Sequence, residues 1–359
     1  MSGLRIGVIG LGRIGVMHAR NLAQTEGVDE VVLIGRSAVR VDAARAELEK
    51  ALAPGAPAVL RGDLAPEGAA APLSTRLTDG TWLEGLDGLV IASSTASHPQ
   101  LMRQAAAAGV PALVEKPIAL ELEEFEALAA EFAEPRTPVM VAFHRRYDAG
   151  YQELRRRIQA GDAGTVRLVH ALSHDHYHIT TDYMPGSGGI WRDMVIHDFD
   201  ALPWLLDEEV VSVYATGAVV DEPAYAEHGD VDTASAILTF ASGAQAIVSA
   251  GRNIASGHDV RTEVYGSKAA FSAGLDARTP VVSTEPGGPA PEETYDEFVN
   301  RFEPAFRREI AHFLRVIRGE DVSLTPPADG LTAMRIAVAA EESVRRGAPV
   351  RIHEIGGAR

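Results

Sequence analysis

Along the first third of the chain, short apolar runs alternate with stretches whose apolar positions recur at helical spacing. LRIGVI (residues 4–9), VVLIG (31–35), GLVIAS (88–93), ALVE (112–115) and VMVAF (139–143) read as strands. Between them, residues 13–25, 39–53, 98–108 and 121–132 read as helices, and residues 54–74, rich in proline, glycine and alanine, as a long irregular connection. Strands that are apolar throughout and separated by helices predict a parallel sheet covered on both faces. Beyond Arg145 the pattern changes. Residues 166–172, 210–219, 233–240, 244–251 and 261–266 alternate partially between apolar and polar, with short turns such as ASGA at 241–244. A period of two predicts a largely antiparallel sheet with one packed face. Two further helices are expected near 305–318 and 330–346, and a loop at 283–293. The predicted fold class is α/β, with an α/β domain over 1–143 and an α+β domain carrying the antiparallel sheet over 144–359.

Composition narrows the classes of function. The 359 residues suffice for two cores, and 46% hydrophobic with 23% charged residues is ordinary for a globular protein. No apolar run reaches the ~18 residues that span a bilayer, and the N-terminus lacks the regions of a signal peptide. Cytoplasmic residence and no membrane partner are therefore expected. The absence of cysteine removes disulfides, thiolate ligands and thiol nucleophiles. A net charge of −17 argues against nucleic acid, whose phosphates need a basic face.

GVIGLGRIGVMH places Gly10, Gly12 and Gly15 in the G-x-G-x-x-G spacing, after a strand and at the opening of a helix. Gly10 permits the tight turn, Gly12 lets a pyrophosphate reach the backbone, and Gly15 lets helix and strand pack closely. Amides at the helix N-terminus, around Arg13 and Ile14, suit the phosphates. This predicts a Rossmann dinucleotide-binding domain. The second strand of such a domain usually ends in an acid for the ribose diol. Here VVLIGRS puts Arg36 and Ser37 there. A guanidinium and a hydroxyl suit a 2′-phosphate, so NADP is expected in preference to NAD. In ALVEKPI, Glu115 and Lys116 follow a strand at the sheet edge where ligands bind, and Ser93, Ser94 and His98 of SSTASHP follow another. All five are candidate cofactor contacts, with a cap on the following helix as the other reading of His98.

WRDMVIHDFD (residues 191–200) reads as a helix with Asp193 and His197 one turn apart on a shared face, which leaves Asp198 and Asp200 off it. Trp191 is expected in the core. Upstream, HDHYH gathers His174, Asp175, His176 and His178. The residues alone leave three readings of that loop: a zinc site, a loop that touches substrate, or a plain polar loop. No H-E-x-x-H spacing is present, and no metal is predicted. Arg145 and Arg146, after the last strand of the first domain, either pair with acids or, for Arg145, meet substrate.

Taken in order, Gly10-x-Gly12-x-x-Gly15 with His18, Glu115-Lys116-Pro117 and Asp193-x-x-x-His197 resemble the Gfo/Idh/MocA family of sugar and polyol dehydrogenases. Within it, FHRRYDAGYQELRRRIQAGDAG (143–164) and GHDVRTEVYGSKA (257–269) are similar to segments of inositol 2-dehydrogenases. The resemblance covers nearly the whole chain. It implies hydride transfer between a nicotinamide and a secondary alcohol, with a catalytic set matching Lys116, Asp193 and His197. The chemistry is apt. His197 titrates near neutrality and suits the hydroxyl proton, Asp193 would orient it, and Lys116 would steady negative charge on the reacting oxygen. Candidate substrate contacts are Lys116, Arg145, Asp175, His176, Asp193 and His197. Relatives carry an Arg-Asn-Pro-like segment where His174, Asp175 and His176 stand, a departure that bears on which polyol or sugar is taken. The resemblance also implies a homo-oligomer, dimer or tetramer, built on the exposed sheet face. Two other enzyme readings use the same site: reduction of a ketosugar, free or nucleotide-linked, and a metal-dependent dehydrogenase. A reading of another class, a non-catalytic dinucleotide-dependent sensor, is disfavoured by the retained lysine and histidine.

Overall fold

A computed structural model of the chain describes residues 3–35, 37–52, 59–64 (as backbone), 81–134 and 136–356. It divides into two compact units, one of residues 1–143 with 306–330, the other of 144–305 with 331–359.

Among the described residues, the first unit carries a six-stranded parallel sheet in the order β3-β2-β1-β4-β5-β6. The strands are β1 (Leu4–Ile9), β2 (Val28–Gly35), β3 (Val59–Leu64), β4 (Gly88–Ile91), β5 (Ala112–Val114) and β6 (Val139–Val141). Helices α1 (Arg13–Ala23), α2 (Ala38–Ala51), α3 (His98–Ala107) and α4 (Leu122–Glu131) alternate with them. Ile6, Val8, Val31, Leu33, Leu89, Ile91 and Leu113 are all fully enclosed, as a sheet covered on both faces requires. The order is that of a doubly wound dinucleotide fold, whose strand sequence reverses between β1 and β4. Strand β3 corrects the irregular connection expected at 54–74. VLRGDL is broken by Arg61, Gly62 and Asp63, and among the described strands it pairs with β2 alone, as an edge strand that lacks the apolar signature of its neighbours. The remainder of that stretch lies outside the described residues.

The second unit holds α5 (Ala149–Gln159), then a seven-stranded sheet in the order β12-β11-β7-β10-β9-β8-β13. These strands are β7 (Val166–His174), β8 (Val210–Ala218), β9 (Thr233–Phe240), β10 (Gln245–Gly251), β11 (Asp259–Gly266), β12 (Ala270–Ala273) and β13 (Val350–Arg351). Pairing is antiparallel except between β7 and β10. In β9 and β10 buried and exposed residues alternate. Ala234, Ala236, Leu238, Ala246 and Val248 point to the packed side, while Ile237 and Ile247 are exposed.

The expected second domain ran unbroken from 144 to 359. Instead, residues 306–330 pack with the first unit. Phe306 stands edge-on to His18 at 6.0 Å, Ile317 fills the space beside Gly88, and the Val141 N–H donates to the Thr325 carbonyl. The helix expected from 305 also begins earlier, at Phe298, and carries Pro304 within its second turn. Among the described residues no helix is long and apolar enough to cross a membrane.

Candidate functional site

In the first unit the glycine motif is shaped by close backbone approach at two positions and by open space at the third. Gly10 has φ +95°, and a Cβ there would sit 2.4 Å from the Ser93 nitrogen. A Cβ on Gly15 would stand 1.8 Å from the Gly10 carbonyl oxygen. Gly12 is exposed, and a Cβ on it would meet no atom within 4 Å. It is also the N-cap of α1, where no side chain caps the helix and the first turn holds no acid. Amides that face open space at a helix N-terminus form a cradle suited to a pyrophosphate, so the residues fit the dinucleotide the motif implies.

At the end of β2, Arg36 lies outside the described residues. Ser37 caps α2, accepting the Arg40 N–H at 3.3 Å. Exposed Arg40, unremarked in the sequence, reaches back to the Leu11 carbonyl of the glycine loop at 3.4 Å.

His98 corrects an expectation. It is 1% exposed, with Nδ1 3.0 Å from the Pro117 carbonyl and Nε2 3.1 Å from the Ser93 carbonyl. Burial lowers its pKa, against the pull of those two carbonyls and Glu115. Both ring nitrogens face backbone carbonyls, to one of which the neutral ring donates, and His98 is wedged between the Ser93 loop and the Lys116–Pro117 bond, which is cis. A ring so enclosed is a brace between two candidate cofactor loops, not itself a cofactor contact. Ser93 bonds to Ser97 at 2.7 Å, and Ser94 accepts the Ser97 hydroxyl through its carbonyl. Lys116 is half-buried at the end of β5. The Glu115 carboxylate accepts from His18 Nε2 at 2.8 Å. A further acid, Glu309, is fully enclosed in this unit. Burial, reinforced by the charge of Glu115, raises its pKa well above the usual carboxyl range.

In the second unit the segment 191–200 is not one helix. Helix α6 (Gly189–Asp193) ends at Asp193 and α7 (Ile196–Leu206) begins at Ile196. The Val195 N–H bonds to the Ile190 carbonyl, five residues back, so the turn widens at the junction. Asp193 thus closes one short helix, and His197 stands in the first turn of the next. Asp193 accepts from the Tyr183 hydroxyl at 3.0 Å and from Arg252 Nη2 at 2.9 Å. His197 is half-buried, its ring edge-on to that of His144 at 4.7 Å. Trp191 is buried and stacked on Phe199.

The histidines of HDHYH diverge. His174 closes β7 and bonds to Ser249 at 2.7 Å, and burial lowers its pKa. His176 stacks on Tyr177 at 4.0 Å. His178 meets Asp221 at 3.0 Å and Tyr225 at 3.3 Å. Asp175 alone turns toward Asp193, through Arg252, whose Nη1 donates to it at 3.2 Å. His258 Nδ1 lies 3.4 Å from its other oxygen. Among the described residues no group of three or more potential ligands is placed to hold a metal ion.

Arg145 is a second correction. It is 3% exposed and donates to Asp198 at 2.5 Å and to Ser173 at 2.9 Å, while Ser173 donates to the other Asp198 oxygen at 2.6 Å. Arg146 grips Asp200 through two bonds of 2.6 and 3.0 Å. A guanidinium so enclosed by its own carboxylate is a core strut, not a substrate contact. Sequence reasoning missed Arg252, Tyr183 and His258. A charged residue immediately after a strand was the one available signal for Arg252.

Two family models match the chain. An oxidoreductase family model with an NAD-binding Rossmann fold covers residues 4–143, and the GFO/IDH/MocA C-terminal domain covers 151–272. The chain is 31% identical to a myo-inositol 2-dehydrogenase of Thermotoga maritima, over 99% of this chain and 100% of that one. It is 36% identical to an inositol 2-dehydrogenase of Rhizobium meliloti, over 95% and 97%. Among solved structures, scyllo-inositol dehydrogenase of Lactobacillus casei with bound NAD(H) and scyllo-inositol superposes with a TM-score of 0.79 at 26% identity, covering 98% and 99%. The paired domain models and these full-length likenesses agree with the cradle at Gly12 and the strand order around it: the chain belongs to the Gfo/Idh/MocA family of oxidoreductases.

Proposed function

We propose that this protein is a nicotinamide-dependent dehydrogenase that oxidises a secondary alcohol of an inositol, a sugar or a sugar derivative, or runs the reverse reduction. The observation that carries this reading is the full-length likeness to inositol dehydrogenases, in a chain whose Lys116, Asp193 and His197 follow the motif order of the family resemblance. A bound nicotinamide supplies the hydride acceptor or donor. Gly10, Gly12, Gly15 and the first turn of α1, with Arg13 and Ile14, would hold its pyrophosphate. His197 takes the hydroxyl proton as the carbonyl forms, and the Lys116 ammonium steadies the oxygen as it gains negative charge. Asp193, pinned by Arg252 and Tyr183, offers a fixed acceptor for a substrate hydroxyl. Asp175 and His176 extend the hydroxyl-binding surface and carry the choice of polyol.

Absence of an acid at the β2 end, Arg36 in its place and Arg40 nearby favour NADP over NAD. The exposed apolar residues Tyr214, Ile237, Ile247 and Tyr265 on one face of the second sheet suit a homo-oligomer formed through that face. A cytoplasmic location is part of the proposal.

The test is a panel of inositols, sugars and ketosugars assayed with NAD+ and NADP+, and with the reduced forms in reverse. Lys116→Ala and His197→Ala should bind dinucleotide as the wild type does and lose turnover by about 100-fold or more. No turnover across the panel, or unchanged turnover in both variants, refutes the reading. Light scattering on the eluting protein, with Ile237→Lys shifting it to monomer, tests the sheet-face assembly.

A further inference from the structure

Arg252 enters the site from outside every motif in the chain, and its surroundings are unusual. It follows β10 directly, at 4% exposure, and its two terminal nitrogens divide between carboxylates from separate elements: Asp175 at 3.2 Å and Asp193 at 2.9 Å. Its backbone is fixed as well, since its N–H donates to the Asp232 carbonyl at 2.8 Å. Asp175 is held equally firmly. It follows β7, which runs parallel to β10 with His174 opposite Gly251, and its N–H and carbonyl bond to Gly251 and Ile254. The guanidinium thus has one available geometry, a planar fork between two anions.

We infer that Arg252 is the positioning residue of the reaction centre, holding Asp193 in place and ionised while Asp175 stands beside it. This inference rests on the catalytic reading of Asp193. Two carboxylates brought to one cation would otherwise repel, and one would take up a proton as the pH falls. The ionisable groups that face this network include Tyr225, Tyr183, His258 and His174, the first of these within the electrostatic reach of Asp230 and the last within that of Asp175. Burial alone would weaken the guanidinium's hold on its proton, but Asp193 and Asp175 more than offset that and raise its pKa. Arg252 therefore stays charged at every working pH, so it acts by place and charge and never as a proton donor.

The test compares pH profiles of kcat/KM. Arg252→Met should fold with its Asp193 carboxyl titrating about one unit or more higher, and with its acid limb displaced upward because a cation in the site disfavours proton uptake by the His197 base as well. Its kcat should fall about tenfold or more while the Kd for NADH stays within twofold. Arg252→Lys restores the charge but not the fork, so the limb should return while kcat recovers only in part. Asp175→Asn, which leaves the guanidinium to Asp193 alone, should move the limb downward, and it keeps the inference testable if Arg252→Met fails to fold. A merely structural arginine would lower stability in Arg252→Met and leave the limb where it was. The same shifts are read without turnover by 13C titration of Cγ-labelled aspartate, with Asp193→Asn assigning the resonance. A wild-type protein inert toward the whole panel defeats the functional reading alone. A limb and an Asp193 resonance unmoved in both Arg252→Met and Asp175→Asn defeat the Arg252 inference alone.

Discussion

Two glycines three residues apart in one motif should fail in opposite ways when given a methyl group. At Gly12 the backbone is extended, with φ −80° and ψ −172°, a conformation alanine adopts freely, and the added Cβ would meet nothing within 4 Å. Gly12→Ala should therefore cost the fold no more than about 1 kcal/mol, the difference between glycine and alanine at an N-cap. The methyl would stand where the pyrophosphate approaches the α1 amides. Charge-assisted bonds of that kind contribute about 1.5–3 kcal/mol each, so losing one weakens dinucleotide binding about 10- to 100-fold. At Gly15 the Cβ would stand 1.8 Å from the Gly10 carbonyl oxygen, a backbone atom that cannot swing aside. Helix α1 must then shift off β1, at an overpacking cost of about 1–3 kcal/mol. Thermal melts with and without NADH separate the two. At a concentration 100 times its Kd, NADH should stabilise the wild type by about 2.7 kcal/mol, and a Gly12→Ala variant with a 30-fold weaker Kd by only about 0.9 kcal/mol. Gly15→Ala should melt lower even without ligand. Equal NADH affinity in Gly12→Ala, or an undiminished melting temperature in Gly15→Ala, would refute the reasoning.

Three further outcomes are expected. Arg40→Ala should weaken NADPH more than NADH in fluorescence titrations, and tighter NADH binding by the wild type would sink the phosphate reading of Arg36 and Arg40 together. Asp198→Asn breaks a buried pair and leaves Arg145 with an uncompensated charge, so unfolding in urea should show a loss of about 3–5 kcal/mol; a loss below about 1 kcal/mol would return Arg145 to the candidate ligands. Glu309 has a raised pKa in the folded chain, so its contribution is fully present below the unfolded carboxyl value near 4.3 and is lost as pH rises toward the folded pKa, at about 1.4 kcal/mol per unit. Glu309→Met should flatten that decline and melt at or above the wild type at pH 8; a variant with the wild-type pH slope would show that Glu309 does not carry it.

The sequence made the first unit legible because its signals are local. A strand, three glycines and a helix follow one another within a dozen residues, and the spacing alone dictates the turn that Gly10 makes and the close approach at Gly15. Strand β3 escaped because an edge strand is permitted a polar composition. His98 was found but misjudged: its place after β4 was read correctly, while the two carbonyls that claim its ring come from residues 93 and 117 and depend on how β4 and β5 pair. The same limit governs residues 191–200. Helical spacing put Asp193 and His197 on one face and set Asp198 and Asp200 aside, and the second half of that reading agrees with two buried arginine pairs. What the pattern did not show is the one widened turn that divides the segment into two helices, because it leaves no mark among the apolar residues.

Arg252 shows the limit most sharply, and also where a better signal lies. Open parallel sheets gather ligand-binding residues at the carboxyl ends of their strands, because there the loops diverge and leave side chains room to meet. In the first unit Ser93 follows β4 and Lys116 follows β5 in this way. The second sheet is antiparallel but for β7 and β10, so among its described strands only these two place their carboxyl ends side by side. The residues just past those ends are Asp175 and Arg252. Asp175 stands in HDHYH and Arg252 in no motif, and seventy-odd residues separate them, yet the one parallel pairing makes them neighbours and their opposite charges make the contact favourable. Periodicity can predict strands and still not their order. In a mixed sheet it is the order, and the charged residues one step beyond a parallel pair, that decides where the chemistry collects.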